Sequence, residues 1–174
     1  MTHREYSDDP AGPFPMPPEA IEDDEGRAID VECYEGPLPP LVELYDTFDP
    51  ADRAQGLPPT DRTAVRDWLE SLFDDGVNVV AWHEDRAVGH ATLVPDRSED
   101  SWELAIFVHQ DYQSAGIGSR LIRLLLGTAA ERGVERVWLT VERWNHAAIA
   151  LYESVGFEPA GTDRFELEYS IRLQ

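Results

Sequence analysis

The sequence predicts a single mixed α/β domain, in which antiparallel strands lead into a parallel pair. The first observation is the order of elements: a strand and two helices, then a hairpin and a further strand, then helix, strand, helix and strand. The second is that a helix separates the strands near 102–108 and 136–141, and a parallel pair needs such a crossover. The third is that 174 residues, with no internal repeat or linker, are enough to build one core.

The chain begins with a segment that differs in composition from the rest. Residues 1–26 are acidic and rich in proline, and they contain few large apolar side chains. Such a composition buries too little to offset its ordering entropy. We therefore expect a mobile leader at 1–26 and one domain at 27–174. The alternative is that Phe14 or Met16 packs on the domain.

Hydrophobic periodicity predicts the elements of the first half. Alternating apolar residues indicate strands, and apolar residues at helical spacing indicate amphipathic helices. Thr60 is a plausible N-cap for the second helix. The expected elements are a strand at 28–34, a helix at 41–48, a helix at 60–75 and a hairpin of 77–83 with 86–94.

The second half is arranged around a glycine-bearing turn. Residues 102–108 are almost continuously apolar after Glu103, which is typical of a central strand covered on both faces. The stretch 109–120 follows this strand and opens into a helix that Gly133 caps at its C-terminal end. The remaining expected elements are a strand at 136–141, a helix at 145–155 and a strand at 165–173.

The composition is strongly acidic, with a net charge of -21 and a pI near 4.3. All the basic residues are arginine, and such a surface repels nucleic acid. One interpretation is adaptation to high salt, as in a halophilic organism, because screening removes the self-repulsion. The other is attraction of a cationic substrate. Composition does not separate them.

Redox chemistry and membrane insertion have little support in the sequence. Cys33 is the single cysteine, which excludes an intramolecular disulfide and a cysteine-based metal cluster. No signal peptide is visible, and no apolar run is long enough to cross a bilayer. We therefore expect a cytoplasmic protein with no metal and no membrane partner.

The turn at 113–119 has the features of an anion seat. Gly116 and Gly118 let the backbone approach a ligand, and the unpaired N–H groups of the next helical turn favour an anion. A nucleotide-triphosphate loop would need a lysine, and the chain has none. A dinucleotide fingerprint would need a third glycine where Leu121 stands. Both of those interpretations are excluded.

Two motifs resemble those of the GCN5-related N-acetyltransferase (GNAT) superfamily. Gln113, Gly116 and Gly118 match its acetyl-CoA motif of Arg or Gln, two residues, Gly, one residue, then Gly or Ala. Asn145 followed by Leu151-Tyr152 and Gly156-Phe157 is similar to its second signature. The resemblance covers about residues 28–173. It implies the acyl-CoA N-acyltransferase fold, with antiparallel N-terminal strands and a splayed parallel pair of central strands.

The resemblance also implies a binding site for acetyl-CoA as co-substrate. The pantetheine arm would enter between the splayed strands, and the pyrophosphate would lie on the N–H groups of the glycine loop. A backbone N–H near Phe107 or Val108 would stabilise an oxyanion. The implied cofactor-binding residues are Ile106, Phe107, Val108, Gln113, Ser114, Ala115, Gly116, Ile117, Gly118, Ser119 and Asn145.

By the same resemblance, Tyr152 donates a proton to the departing CoA thiolate; the alternative is a tyrosine whose ring packs in the core with its hydroxyl at the edge. A phenol near pKa 10 and a thiol near 8.5 are close enough for this transfer. Glu103 is the candidate general base, or else a solvated carboxylate at a strand end. His90 and His109 are weaker candidates for that role. Cys33 lies away from both motifs, so an acyl-cysteine step is not expected.

The acceptor would be a primary amine of a small molecule or peptide, attacking directly. Its pocket is expected between the loop that joins the first two helices and the final strands. That loop contains Asp49, Asp52, Arg53 and Gln55. A non-catalytic acyl-CoA-binding or ligand-sensing module on the same fold is the alternative, and a homodimer is a further possibility.

Overall fold

The computed structural model describes residues 4–52, 57–97, 99–162 and 165–174. Within these ranges the chain forms one eight-stranded sheet with the strand order β1-β2-β3-β4-β5-β6-β8-β7. The strands are β1 Glu19–Glu22, β2 Ala28–Cys33, β3 Val77–His83, β4 Arg86–Asp96, β5 Ser101–Val108, β6 Arg136–Glu142, β7 Glu158–Thr162 and β8 Glu166–Arg172. The helices are α1 Pro39–Asp46, α2 Arg62–Asp75, α3 Ile117–Glu131 and α4 His146–Val155.

The mixed α/β fold predicted from the sequence is confirmed. All neighbouring strands are antiparallel except β5 and β6, which run parallel. The helices lie where they are expected, with two differences: α1 spans Pro39–Asp46 rather than 41–48, and α2 begins later than expected. Its N-cap is Asp61 rather than Thr60, because the Asp61 carboxylate accepts a hydrogen bond from the N–H of Ala64.

Helices cover both faces of the sheet, so the core has two parts. The first cluster lies under α3 and α4, where Leu121, Leu124 and Leu125 are fully buried. The second lies under α1 and α2, and Phe107 of β5 contributes its ring to it. Alternate residues of β5 serve the two clusters, which explains why this strand lacks polar alternation.

The parallel pair is short, and this shapes the site. Strands β5 and β6 are in register only at Trp102↔Val137 and Glu103↔Trp138. Both strands continue beyond that point, β5 to Val108 and β6 to Glu142. The two strands therefore splay apart above the Glu103–Trp138 pair, and the open edge of β5 faces a gap.

Within residues 4–26, the structure forms a strand and contacts that the sequence pattern does not predict. Glu19–Glu22 forms edge strand β1, which pairs with β2. Upstream, the N–H of Ala11 donates to the carbonyl of Arg172, and Phe14 packs against the first core cluster. The alternation of apolar and polar residues in this segment is too short to predict a strand. The strand forms because it pairs with the edge of β2. Its mobility stays a prediction.

Strand β7 was also not predicted. It contains Pro159 and Gly161, which are poor strand formers, and its pairing with β8 is irregular between these two positions. The strand lies at the edge of the sheet, where proline and glycine are tolerated. The sequence pattern was therefore too weak to indicate it.

Candidate functional site

The edge of β5 that β6 leaves open presents backbone groups to the gap. The N–H of His109 donates to the carbonyl of Val88 on the β4 side. Amides alternate between the two edges of a strand, so Phe107 also faces β4, while Ile106 and Val108 face the gap. Of the three backbone positions predicted to bind a ligand here, two therefore point into the gap, and Phe107 is engaged within the sheet.

The loop that follows β5 adopts left-handed backbone conformations before α3 begins. Ser114 has φ 59° and Gly116 has φ 88°. Gly116 is the N-cap of α3 and makes no side-chain capping bond, so the first N–H groups of the helix are left for another acceptor. Ala115 and Ile117 are buried, so the exposed residues of the loop are those around them. This arrangement attracts an anion.

A groove of about 300 Å³ joins this loop to helix α4. A Cβ on Gly118 would lie 3.3 Å from Leu151 Cδ2 and 3.8 Å from Ile106 Cδ1, so glycine there lets α3 and α4 approach. The lining residues are Val108, Tyr112, Gln113, Ser114, Gly116, Gly118, Ser119, Ala147, Ala148 and Leu151. The loop motif predicts half of these lining residues as ligand-binding residues. It does not predict Tyr112 or the residues of α4.

Gln113 joins the groove to the loop after α1. Its Nε2 donates to the carbonyl of Val108 at 3.0 Å and to Asp52 Oδ2 at 3.0 Å. Gln110 adds a second tie, since its Oε1 accepts from the N–H of Asp49 at 3.1 Å. The loop expected to line an acceptor pocket is thus held against the glycine loop. Arg53 and Gln55, also predicted there, lie outside the described residues.

Asn145 lies at the start of α4 and caps it. Its Oδ1 accepts from the N–H of Ala148 at 3.2 Å, which uses the acceptor of the side chain. The Nδ2 group is the part that can donate to a ligand. Its place beside Ala147 and Ala148 puts the residue at the rim of the groove. A helix-capping role therefore accompanies any binding role.

Tyr152 is buried against the first core cluster. Its ring packs edge-on against Phe157, with centroids 6.0 Å apart. Burial raises its pKa to about 12, so the phenol keeps its proton at physiological pH. It follows Leu151, which lines the groove, on the same helix. A protonated phenol in this position can act as an acid but not as a base.

Glu103 lies opposite Trp138 at the last position where β5 and β6 are paired. It shares a face of β5 with Ala105 and Phe107, on the α1 and α2 side of the sheet. Burial is the main cause that raises the pKa of Glu103. The pKa is lowered by the charge of Arg4 and raised by the charges of Asp96, Glu166 and Glu168. A carboxylate with a raised pKa at the base of the gap is a better base than an ordinary one. Tyr152 belongs to the opposite core cluster.

The two histidines differ in how they are held. His90 is fully buried between Asn78 and Tyr45, with ring nitrogens 2.8 and 2.6 Å from their oxygens, and burial lowers its pKa to about 3. It is neutral, inaccessible and structural. His109 is also buried, and burial and Arg86 lower its pKa. Neither ring reaches solvent as a general base would require.

The described part of the chain contains no group of three or more His, Cys, Asp or Glu side chains arranged to hold a metal ion. A search of the same residues finds no helix that is long and apolar enough to span a membrane.

The comparisons with known proteins agree with the motifs. Residues 39–157 match the family described as "Acetyltransferase (GNAT) family". An uncharacterized N-acetyltransferase of Mycobacterium bovis is 34% identical over 89 residues, which are 51% of this chain and 57% of the relative. The ribosomal protein bS18-alanine N-acetyltransferase of Escherichia coli K12 is 49% identical over 55 residues, 32% of this chain and 37% of that protein. The chain thus spans about half the length, or less, of these curated relatives.

Solved structures share the fold. The GNAT domain of S. lividans PAT has a TM-score of 0.77 at 16% identity, covering 90% of this chain and 97% of that domain. The ribosomal-protein-alanine N-acetyltransferase of Brucella melitensis has a TM-score of 0.67 at 27% identity, covering 82% of this chain and 99% of the other. The first likeness concerns the fold alone.

Proposed function

Because the chain belongs to the GNAT acetyltransferase family, we propose that it is an acetyl-CoA-dependent N-acetyltransferase. It transfers the acetyl group to a primary amine by direct attack, and the acceptor is a small molecule or a peptide. Relatives named as ribosomal-protein-alanine N-acetyltransferases favour a peptide amine as one acceptor class.

The observation that carries the proposal is the gap between β5 and β6. Pairing stops at Glu103↔Trp138, and the amides of Ile106 and Val108 face the opening. The gap leads to the groove and to the uncapped N-terminus of α3. An extended ligand with amides at one end and phosphates at the other fits this sequence of donors, which supports CoA as the group held there.

The assigned roles follow from the position and protonation of each side chain. When bound, acetyl-CoA supplies an activated acyl group. Glu103 removes the proton of the acceptor amine, and its raised pKa suits a base. Tyr152 holds a proton for the departing thiolate; burial raises its pKa to about 12, so the proton stays on the phenol in the free protein and the phenol is a weaker acid than an ordinary tyrosine. Ser119, Gln113 and Asn145 position the cofactor end of the site.

The test is the variant Tyr152→Phe. The change removes a hydroxyl and leaves the ring against Phe157, so folding is preserved. We expect turnover to fall by about 10²–10⁴-fold, the usual contribution of a positioned acid, while calorimetry shows unchanged CoA affinity. The matched control is Tyr169→Phe, because Tyr169 is also buried in the first cluster and its hydroxyl donates to Glu153 Oε1 at 3.4 Å. Equal turnover of the two variants across pH would contradict the role of Tyr152.

The competing function is a non-catalytic acyl-CoA-binding module. It predicts heat on titration with CoA but no thiol release with a panel of amines and peptides. The presence of both Tyr152 and Asn145 in the second motif favours the enzyme. Thiol release that depends on an added amine decides for catalysis, and binding without any release decides against it.

Three further sequence-based predictions stand beside this proposal. They are a cytoplasmic location, a homodimer and adaptation of the acidic surface to high salt. Gel filtration with light scattering tests the second, and the third is tested by the salt dependence of unfolding described below.

A further inference from the structure

The segment before β1 places a cationic side chain on the face of the sheet that carries Glu103 and Trp138. The guanidinium carbon of Arg4 lies 3.6 Å from the centre of the Trp138 ring. Its Nε and Nη2 face the two carboxylate oxygens of Glu168 at 3.2 and 3.4 Å, and Nη1 bonds Glu99. Only 11% of the Arg4 side chain is exposed. An aromatic face with a carboxylate fork is the usual recognition site for guanidinium.

This cluster lies beside the proposed reaction centre. Trp138 is paired in register with Glu103, at the point where β5 and β6 separate. Both side chains, with Glu168, project on the sheet face that α1 and α2 cover further along. Arg4 is close enough to lower the pKa of Glu103. A cation held on Trp138 is therefore a neighbour of the candidate base.

Few backbone bonds hold Arg4 in place. The next residue donates its N–H to the carbonyl of Ala160 at 3.2 Å, and its carbonyl accepts from Ser170 Oγ. Further along, Arg172 Nη1 donates to the carbonyl of Asp8 and the N–H of Ala11 donates to the carbonyl of Arg172, so displacement of Arg4 needs only the residues before Asp8 to open. The Trp138 Nε1 atom is also buried without a hydrogen-bond partner among the described residues.

We propose that Trp138, Glu168 and Glu99 form a guanidinium-binding subsite for the acceptor, which Arg4 fills in the free protein. An amine that carries a guanidinium group displaces Arg4, and its amino group then reaches toward Glu103. The proposal rests on the proposed function, since it names the acceptor class of that site. It also makes Arg4 an internal competitor of the acceptor.

The test uses agmatine, which has a primary amine and a guanidinium, as the probe in calorimetry. Arg4→Met removes the competitor and keeps much of its apolar stem. If Arg4 fills the subsite in about nine of ten molecules, this variant binds agmatine about tenfold more tightly than the wild type. The matched control is Arg132→Met. Arg132 is exposed at the end of α3, and its substitution changes the net charge of the protein by the same amount. It leaves agmatine affinity unchanged.

A second change locates the binding. Adding Glu168→Gln to Arg4→Met removes the carboxylate fork and reverses the gain in affinity. Butylamine, which lacks the guanidinium, shows no gain with either variant. Equal agmatine affinity in the wild type and Arg4→Met, or an undiminished gain after Glu168→Gln, overturns the proposal.

Hydrogen exchange tests the displacement of Arg4 in the wild-type protein, so it does not depend on whether a variant folds. Saturating agmatine is expected to speed exchange at the amide of Glu5, whose bond to Ala160 depends on the seated segment. Unchanged exchange under saturation overturns the proposal. Failure of the proposed function is a separate result: agmatine binds by this pattern, yet acetyl-CoA releases no thiol with any amine.

Discussion

The two ends of helix α3 offer a controlled test of the glycine loop. Gly116 precedes the helix with φ 88°, and Gly133 follows it with φ 86°. An added Cβ meets nothing within 4 Å at Gly133, and at Gly116 it meets only the Asp24 carboxylate at 3.5 Å, an ordinary contact. The variants Gly116→Ala and Gly133→Ala therefore have the same conformational cost and no steric difference.

That cost is about 1–2 kcal/mol, the penalty of a left-handed conformation for a residue with a Cβ. For a chain of this size each kcal/mol lowers the melting temperature by about 2–4 °C. The two variants should differ in binding. Rotation at position 116 relieves the strain but turns away an amide donor, and a hydrogen bond to a charged group is worth about 1.5–3 kcal/mol. Gly116→Ala should thus bind CoA roughly tenfold or more weakly, and Gly133→Ala should bind it normally.

Thermal unfolding and titration calorimetry with CoA measure both effects on the same samples. Equal melting temperatures with unequal CoA affinity are the expected outcome. Normal CoA binding by Gly116→Ala would refute the placement of the pyrophosphate on this loop. A much larger loss of stability at position 116 than at 133 would refute the conformational estimate.

Three other predictions concern buried or surface charge. Burial lowers the pKa of His90 in the folded state to about 3, so its contribution to the free energy of unfolding is complete above pH 6.5. That contribution is lost as pH falls toward about 3, by up to about 1.36 kcal/mol per pH unit. Denaturation across pH should therefore show a shallower loss of stability in acid for His90→Gln than for the wild type, and parallel curves would contradict this. Burial raises the pKa of Glu103 in the folded state, so its ionised form lowers the stability of the protein at neutral pH. The variant Glu103→Gln should have a higher melting temperature and a lower turnover number than the wild type. A lower melting temperature would count against the burial argument. The net charge of -21 predicts a higher unfolding midpoint in molar KCl than in dilute buffer, and equal midpoints would contradict salt adaptation.

Local patterns were sufficient for most of the architecture. Helix α3, the hairpin of β3 and β4, and the parallel pair all follow from periodicity and from the rule that parallel strands need a crossover. Strands β1 and β7 escaped prediction because their partners, and not their own residues, make them strands. Glu19–Glu22 has two charged ends, and β7 holds a proline and a glycine.

The candidate site shows the same division. The loop from Gln113 to Ser119 and the helix with Asn145 and Tyr152 could be located in the sequence, because backbone conformation and helix capping are set by near neighbours. The role of Phe107 could not, since the edge to which an amide points depends on the register with β4.

The sequence by itself determined the element order, the acidic surface and the glycine loop, because each depends on composition or on residues close in the chain. Only the tertiary structure decided where β5 and β6 separate, how Gln113 is tied to Asp52, and that Arg4 lies on Trp138. Those contacts join residues far apart in sequence, and their free energy comes from packing and charge pairing that no local pattern records. The cluster of Arg4, Trp138 and Glu168 is built entirely from contacts of this second kind.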